Sequence, residues 1–455
     1  MITTDLWAFA VTIGVLVVFH ELGHYWVARL CGVKVLRFSV GFGKVLFSWH
    51  FGKGETEWAL SVIPLGGYVK MLDEREGEVA PHELARAFNR KPVWQRMAIV
   101  VAGPAFNLLL AVILYFMLFT HGVDGTRAVL GEIPAKTPAA EAQLQKGETV
   151  LSVNGDAMQS WEEVRWRLLM LGLQRGKVEI TGQTADGVTR QHVLDLGQIE
   201  PSDLERDFMQ KLGLQPNYPP IPAVVGEVVS GSAAEHAGLR TGDRVLRVDG
   251  KEIATFDQWA EVVRAHPETL LHLDIVRDGH EMPLDITPKR ETEEGKVIGR
   301  VGVAPDLKTY EALVVPLQVK VSYAPIAALG QAAQKTWDIS SLSLQMMGRM
   351  ALGQVSLKSM SGPVKTATYA GKSAKMGLIA FIFFLAAISV GVGVLNILPI
   401  PVLDGGHLLY YMAEFFMGRP VQESAWETGQ KIGVALLSAL MILVLYNDIS
   451  SLISG

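Results

Sequence analysis

Val17-Val18-Phe19-His20-Glu21-Leu22-Gly23-His24-Tyr25 sets two histidines and a carboxylate into an apolar run that begins at Leu6. If the run is helical, His20 and His24 fall four residues apart on one face, the separation at which two imidazoles grip a single metal ion. Glu21 stands beside them, where a carboxylate can take a proton from water. Two histidines and a glutamate at this spacing arise by chance in ordinary helices. Their setting argues against chance, because an ionisable group inside a membrane-length apolar segment costs several kcal/mol unless it has partners.

The rest of the chain agrees with a membrane setting. Of 455 residues only 19% are charged, and the mean hydropathy is +0.26. A net charge of −5, with no basic stripe interleaved with aromatics, excludes a nucleic-acid partner. Cys31 is the single cysteine, so neither an intrachain disulfide nor a Cys-x-x-Cys metal or redox site can be built. Four stretches reach the roughly 20 residues that a helix needs to cross a bilayer: Leu6 to Ala28, Met97 to Phe119, Met376 to Pro399 and Ile432 to Ile449. No basic segment precedes Leu6 and no small-residue cleavage site follows, so the first is a retained anchor and not a signal peptide.

Lysines and arginines between the first two spans, from Arg29 to Arg96, place that segment in the cytoplasm and the N-terminus outside. Even counting then puts residues His121 to Lys375 and the C-terminus outside. The cytoplasmic segment alternates apolar and polar residues through Val33-Lys34-Val35-Leu36-Arg37-Phe38-Ser39-Val40 and Glu57-Trp58-Ala59-Leu60-Ser61-Val62-Ile63. Gly41, Gly43, Gly52 and Gly54 punctuate it, which predicts β-hairpins. Aromatics such as Phe42, Phe47, Trp49 and Phe51 suit a dip into the membrane interface, where a free strand edge can hold an extended peptide; a small cytosolic cap on the bundle is the alternative. Glu83 to Trp94 reads as a short interfacial helix. In the second span, Gly103-Pro104-Ala105-Phe106-Asn107 predicts close packing on the first, with Asn107 needing an interhelical partner.

Outside the membrane, Ala139 to Gly155 aligns without gaps on Ala234 to Gly250, an offset of 95 residues, and Trp161 and Phe256 keep the register. Two copies of one small domain are therefore predicted, each with a short helix, a Gly turn, a strand ending in Asn-Gly or Asp-Gly, and a second helix. The second copy, with Val224-Val225-Gly226-Glu227 and Ala237-Gly238-Leu239-Arg240-Thr241-Gly242-Asp243, resembles a bacterial PDZ domain. The first departs from the pattern at Gln143 and Glu148. Such domains capture extended peptides or serve as steric filters, and both readings stand. Lys308 to Lys375 is polar and amphipathic, with Ser361-Gly362-Pro363 as a turn and Leu342 to Met347 on an interfacial helix.

The third span ends in Asn396-Ile397-Leu398-Pro399-Ile400-Pro401-Val402-Leu403-Asp404-Gly405-Gly406-His407. Asp404 is the candidate third ligand; His407 and Glu414 are weaker ones, and His50 and His121 read as solvated. The first and third spans both run inward, so His20, His24 and Asp404 can meet at one depth. Three protein ligands leave a fourth tetrahedral position open.

Phe19-His20-Glu21-Leu22-Gly23-His24, Gly103 to Asn107, the paired repeats and Asn396 to Gly406 together resemble the site-2 protease family of intramembrane zinc metalloproteases, across essentially the whole chain. The resemblance implies an α-helical membrane protein with four transmembrane helices, a membrane-associated β-hairpin region and two tandem extracytoplasmic PDZ domains. It implies Zn2+ held by His20, His24 and Asp404, Glu21 as general base, and substrate contacts at Asn396 and at Gly66 and Gly67 of a reentrant β-region. It also implies a bacterial inner-membrane location with termini and PDZ domains periplasmic and the active site towards the cytoplasm. The expected substrates are a pre-cleaved single-span anti-sigma factor and remnant signal peptides. A helix-buried peptide bond must unwind before attack, which gives the strand edge and Asn396 a job. The expected segments are 1–30 (first span), 31–96 (β region), 97–120 (second span), 121–220 and 221–307 (repeats), 308–375 (amphipathic), 376–407 (third span), 408–431 (loop) and 432–455 (fourth span). A membrane-tethered PDZ scaffold or sensor with a structural metal is a rival reading, in which Glu21→Gln is silent; a metal transporter would want polar residues along several spans.

Overall fold

Four helices among the described residues are long and apolar enough to cross a membrane: Thr4–Leu30, Val93–His121, Leu378–Ile397 and Ser424–Ser450. The computed structural model describes residues 2–50, 56–199, 203, 208–293, 296–356 and 362–454. Phe51, Gly52, Gly54 and Ser361, named above, lie outside them. The chain forms two compact units, one built from Met1–Val123 and Val321–Gly455, the other from Asp124–Ile199 and Asp207–Lys320.

In the membrane unit, small residues set how closely the helices approach. A Cβ on Gly23 would lie 2.3 Å from the Ala102 carbonyl oxygen, so the first helix (Ile2–Leu30) and the second (Val93–His121) touch backbone to backbone. Leu16, Leu110 and Leu385 bring those two and Leu378–Ile397 into one apolar cluster. The predicted interfacial helix is 27 residues long, Pro325–Ala351, and it is not free at a surface: Ala332 packs with Ala111, Tyr115 and Val390 of two spanning helices. Helix Pro363–Met376 is pinned at both ends. Asp448 accepts the backbone N–H groups of Gly362, Val364 and Lys365 at 3.0–3.1 Å, and Lys375 pairs with Asp5 at 3.0 Å.

The predicted hairpins form as two long strands, Val35–His50 and Glu57–Met71, that fold on themselves. Phe38 pairs with both Trp58 and Val69, while Trp49 also pairs with Trp58. By pairing there are thus four segments, ordered 42–50, 57–63, 35–40 and 66–71. Gly41 and Gly43, at φ 92° and 86°, bend the first strand from within and do not close turns. The interfacial helix expected at Glu83 to Trp94 is absent. Two 3₁₀ turns, Pro81–Arg86 and Phe88–Arg90, stand there, because Ala87 is extended between them and the Phe88 N–H bonds Leu72 O instead. Arg90 and Asn89 bond Glu74 across this connection and hold its carboxyl down to about 2.

The stretch 408–431, expected as a loop, is largely helical: Asp404–Met417 runs to Gly418, whose φ of 67° ends it, and Glu423–Ser454 follows. Gly405, Gly406 and Tyr411 are buried in the first of these helices, whereas Leu409, Met412, Phe415 and Phe416 are exposed.

In the other unit, the repeats fold alike. Each has a four-stranded sheet, Asp156–Ala157, Thr149–Val153, Lys177–Gln183 and Thr189–Asp195 in the first, Lys251–Glu252, Arg244–Val248, Leu271–Arg277 and His280–Ile286 in the second. Asn154-Gly155 and Asp249-Gly250 all take positive φ, the turn such pairs favour. Ser160 and Thr255 cap the following helices, Trp161–Gly172 and Phe256–Ala265, by accepting from Glu163 and Gln258 N–H. Glu148 and Asp243, one repeat length apart, are both buried, and each meets a nitrogen-bearing side chain: His192 at 3.3 Å, Arg277 at 2.6 Å. Residues 308–320 belong here and not with 321–375: the Arg127 N–H bonds Leu317 O at 2.7 Å.

Candidate metal centre

The first helix presents His20 and His24 from one face, ring centroids 4.9 Å apart, with Nε2 atoms separated by 3.3 Å. Asp404 comes from far along the chain, at the first residue of helix Asp404–Met417. The polypeptide reaches it by a tight turn after Ile397. Val402 adopts φ 90°, a costly conformation for a β-branched residue. Gly405 and Gly406 make that turn possible, since a Cβ on either would fall 2.1 Å from Leu398 O or 2.5 Å from Ile400 O.

Asp404 Oδ2 lies 3.1 Å from His20 Nε2 and 3.5 Å from His24 Nε2. The three donor atoms thus form a nearly equilateral triangle, and these residues are the ligand cluster found among the described residues. Tetrahedral ligands at about 2.0–2.1 Å from zinc are about 3.3–3.4 Å apart, so the triangle fits. Asp404 Oδ2 is buried yet receives no well-directed hydrogen bond. Lone pairs aimed at one point with no proton to share are what a cation satisfies.

The opposite ring nitrogens are held. His24 Nδ1 donates to the Ile99 carbonyl at 2.8 Å, fixing the tautomer that leaves Nε2 free. His20 Nδ1 lies 3.2 Å from the Asn107 amide nitrogen, while Asn107 Oδ1 is buried without a partner. Turning that amide over lets Oδ1 accept from Nδ1–H and satisfies both groups. Gly103 packs directly on the imidazoles: a Cβ there would be 2.3 Å from His24 Nε2.

Glu21 is buried beside the ligands. Segment 66–71 lies against it, close enough that a Cβ on Gly67 would meet Glu21 Cγ at 3.0 Å and Val17 Cγ1 at 2.8 Å. Gly66 bends the strand at φ 134° with the Phe42 ring over it. Asn396 is half-buried in the last turn of Leu378–Ile397. His407 stands outside the cluster, its ring tilted against Trp426 with centroids 5.0 Å apart, and Glu414 is paired with Arg96. His50 and His121 are exposed.

The sequence reading gave Gly103, Asn107 and the Gly405-Gly406 pair no part in the site. A signal existed: Gly103 and Asn107 are four apart and so share a helix face, and a lone amide in an apolar span needs a partner.

A model of peptidase family M50 matches residues 8–440 of this chain. The chain is 41% identical to the regulator of sigma-E protease RseP of Salmonella typhimurium over 98% of its own length and 99% of that protein. The same figures hold for RseP of Escherichia coli. A Ralstonia nicotianae protein provisionally named a zinc metalloprotease is 42% identical over 98% of each chain. With a family model spanning the first helix to the last and relatives matched end to end, this chain belongs to peptidase family M50.

Proposed function

We propose that this chain is an intramembrane zinc endopeptidase that cleaves peptide bonds within membrane-spanning segments of single-span substrates. The observation that carries the reading is the triangle of His20, His24 and Asp404 donor atoms, with sides of 3.1–3.5 Å, its two imidazoles lying within a helix able to cross a bilayer. Zinc bound there supplies a Lewis acid that lowers the pKa of water towards about 7 and polarises a carbonyl. His20, His24 and Asp404 hold it. Glu21 accepts a proton from the attacking water and delivers it to the leaving amine. Segment 66–71 is the outer strand by pairing and its Gly67 lies against Glu21, so an unwound substrate aligns along it by main-chain hydrogen bonds, helped by Gly66 and the Asn396 amide.

The two repeats act as tandem PDZ domains on the periplasmic side, as capture or filter modules, with both termini on that side and the site towards the cytoplasm. The segment divisions given above stand in this reading, with the ends of the loop and amphipathic region moved as described. Relatives named as regulators of sigma-E support a substrate in sigma-E control; in this reading it is a trimmed single-span anti-sigma factor, and remnant signal peptides are further substrates. The test is cleavage of a model single-span peptide in liposomes. Wild type cleaves and Glu21→Gln does not while keeping its zinc; if wild type and Glu21→Gln behave alike, the scaffold reading takes its place.

A further inference from the structure

The second spanning helix supplies no ligand, yet one of its faces supports the whole cluster. Ile99 O holds His24, Gly103 packs on both rings and Asn107 reaches His20. Arg96 precedes them on the same face, three residues before Ile99 and seven before Gly103. Its guanidinium makes a two-pronged pair with Glu414, Nη2 to Oε1 at 2.6 Å and Nη1 to Oε2 at 3.0 Å, with both side chains largely buried. The same guanidinium lies 4.9 Å over the Tyr411 ring, and its Nε donates to Lys91 O.

Glu414 and Tyr411 both belong to the helix that starts with Asp404. Tyr411 is buried and seven residues from Asp404, so it occupies Asp404's own face two turns on. Glu414 is ten residues from Asp404, about 15 Å along the axis. We propose that Arg96, through Glu414 and Tyr411, is a positioning residue for Asp404: it fixes the height and rotation of helix Asp404–Met417 against the helix that already holds both imidazoles. The demand is strict. Slipping a helix by one residue moves it 1.5 Å and turns it 100°, whereas metal–ligand distances tolerate about 0.2 Å. The near end is set by the tight turn that packs Gly405 and Gly406 on the Leu398 and Ile400 carbonyls, and the Arg96 pair sets the far end.

The inference rests on the zinc site proposed above. It is tested on the full-length protein with Arg96→Gln, Arg96→Lys and Glu414→Gln, measuring zinc affinity by chelator competition and the thermal midpoint alongside cleavage. Arg96→Gln and Glu414→Gln lower zinc affinity tenfold or more, in the 10–100-fold range that outer partners of metal ligands command. Arg96→Lys, which keeps the charge without the fork, falls between them and wild type. Should an Arg96 variant fail to fold, the nearly isosteric Glu414→Gln decides. Unchanged zinc affinity in the folded variants, even with a lowered midpoint, overturns the inference. A wild type that binds no zinc overturns the proposed function first.

Discussion

Gly103 touches the His24 imidazole so closely that a methyl group in place of its hydrogen would stand 2.3 Å from Nε2 and 2.8 Å from His20 Nε2. Glycine there is a condition of the site and not only of helix packing. Gly103→Ala forces the rings off their common point, while alanine favours the helix itself. Zinc affinity falls at least about tenfold with the spanning helices intact by circular dichroism. Wild-type affinity in Gly103→Ala would refute the packing.

Asn107 is held by its neighbours: its backbone carbonyl accepts from Ser389 Oγ at 2.7 Å, and its side-chain amide faces His20 Nδ1. Asn107→Leu removes the acceptor and lowers zinc affinity by about 10–100-fold. Asn107→Asp retains an acceptor and stays nearer wild type. Equal losses in the two variants would show that the amide serves packing alone.

At Gly67 the strand rests on Glu21 and Val17 with no room for a side chain. Gly67→Val pushes segment 66–71 away from the general base, so cleavage of a model peptide drops by about two orders of magnitude, as misplacement near 1 Å does. Zinc content, set by other residues, stays at the wild-type level. Full cleavage by Gly67→Val would remove this edge from the substrate path.

In the repeats, buried Glu148 depends on His192 as buried Asp243 depends on Arg277. Deleting Arg277 strands the buried Asp243 charge, at about 3–5 kcal/mol, and deleting His192 takes the imidazole from the buried Glu148 carboxyl. His192→Ala and Arg277→Ala are expected to speed hydrogen exchange in the repeat that carries them and leave the other unchanged. Uniform exchange across both would contradict independent cores.

Much of this was legible in the sequence because it repeats or is periodic. The 95-residue offset put Ser160 over Thr255 and Glu148 over Asp243, and the apolar runs delimited the first three spanning helices within about a turn, while the fourth begins eight residues before Ile432. His20 and His24 were readable from their spacing on one helix. What escaped depends on close approach between distant segments. Arg96 and Glu414 are 318 positions apart, and nothing local marks either as paired. Gly103, Gly405 and Gly406 matter for what a Cβ would strike, which a sequence does not display. The helix after Asp404 read as loop because its large apolar side chains are mostly exposed, with Tyr411 the large one that is buried, so no buried stripe marks it. The strands bend at Gly41 and Gly43, where the glycines themselves had read as turns between strands.

The most direct measurement is X-ray absorption at the zinc edge on purified protein, with metal stoichiometry, for wild type and Asp404→Ala. One zinc per chain, ligated by two imidazoles and by oxygen at about 2.0–2.2 Å, with the metal lost or its oxygen shell altered in Asp404→Ala, is the result this account predicts. An unchanged zinc spectrum and stoichiometry in Asp404→Ala would contradict it.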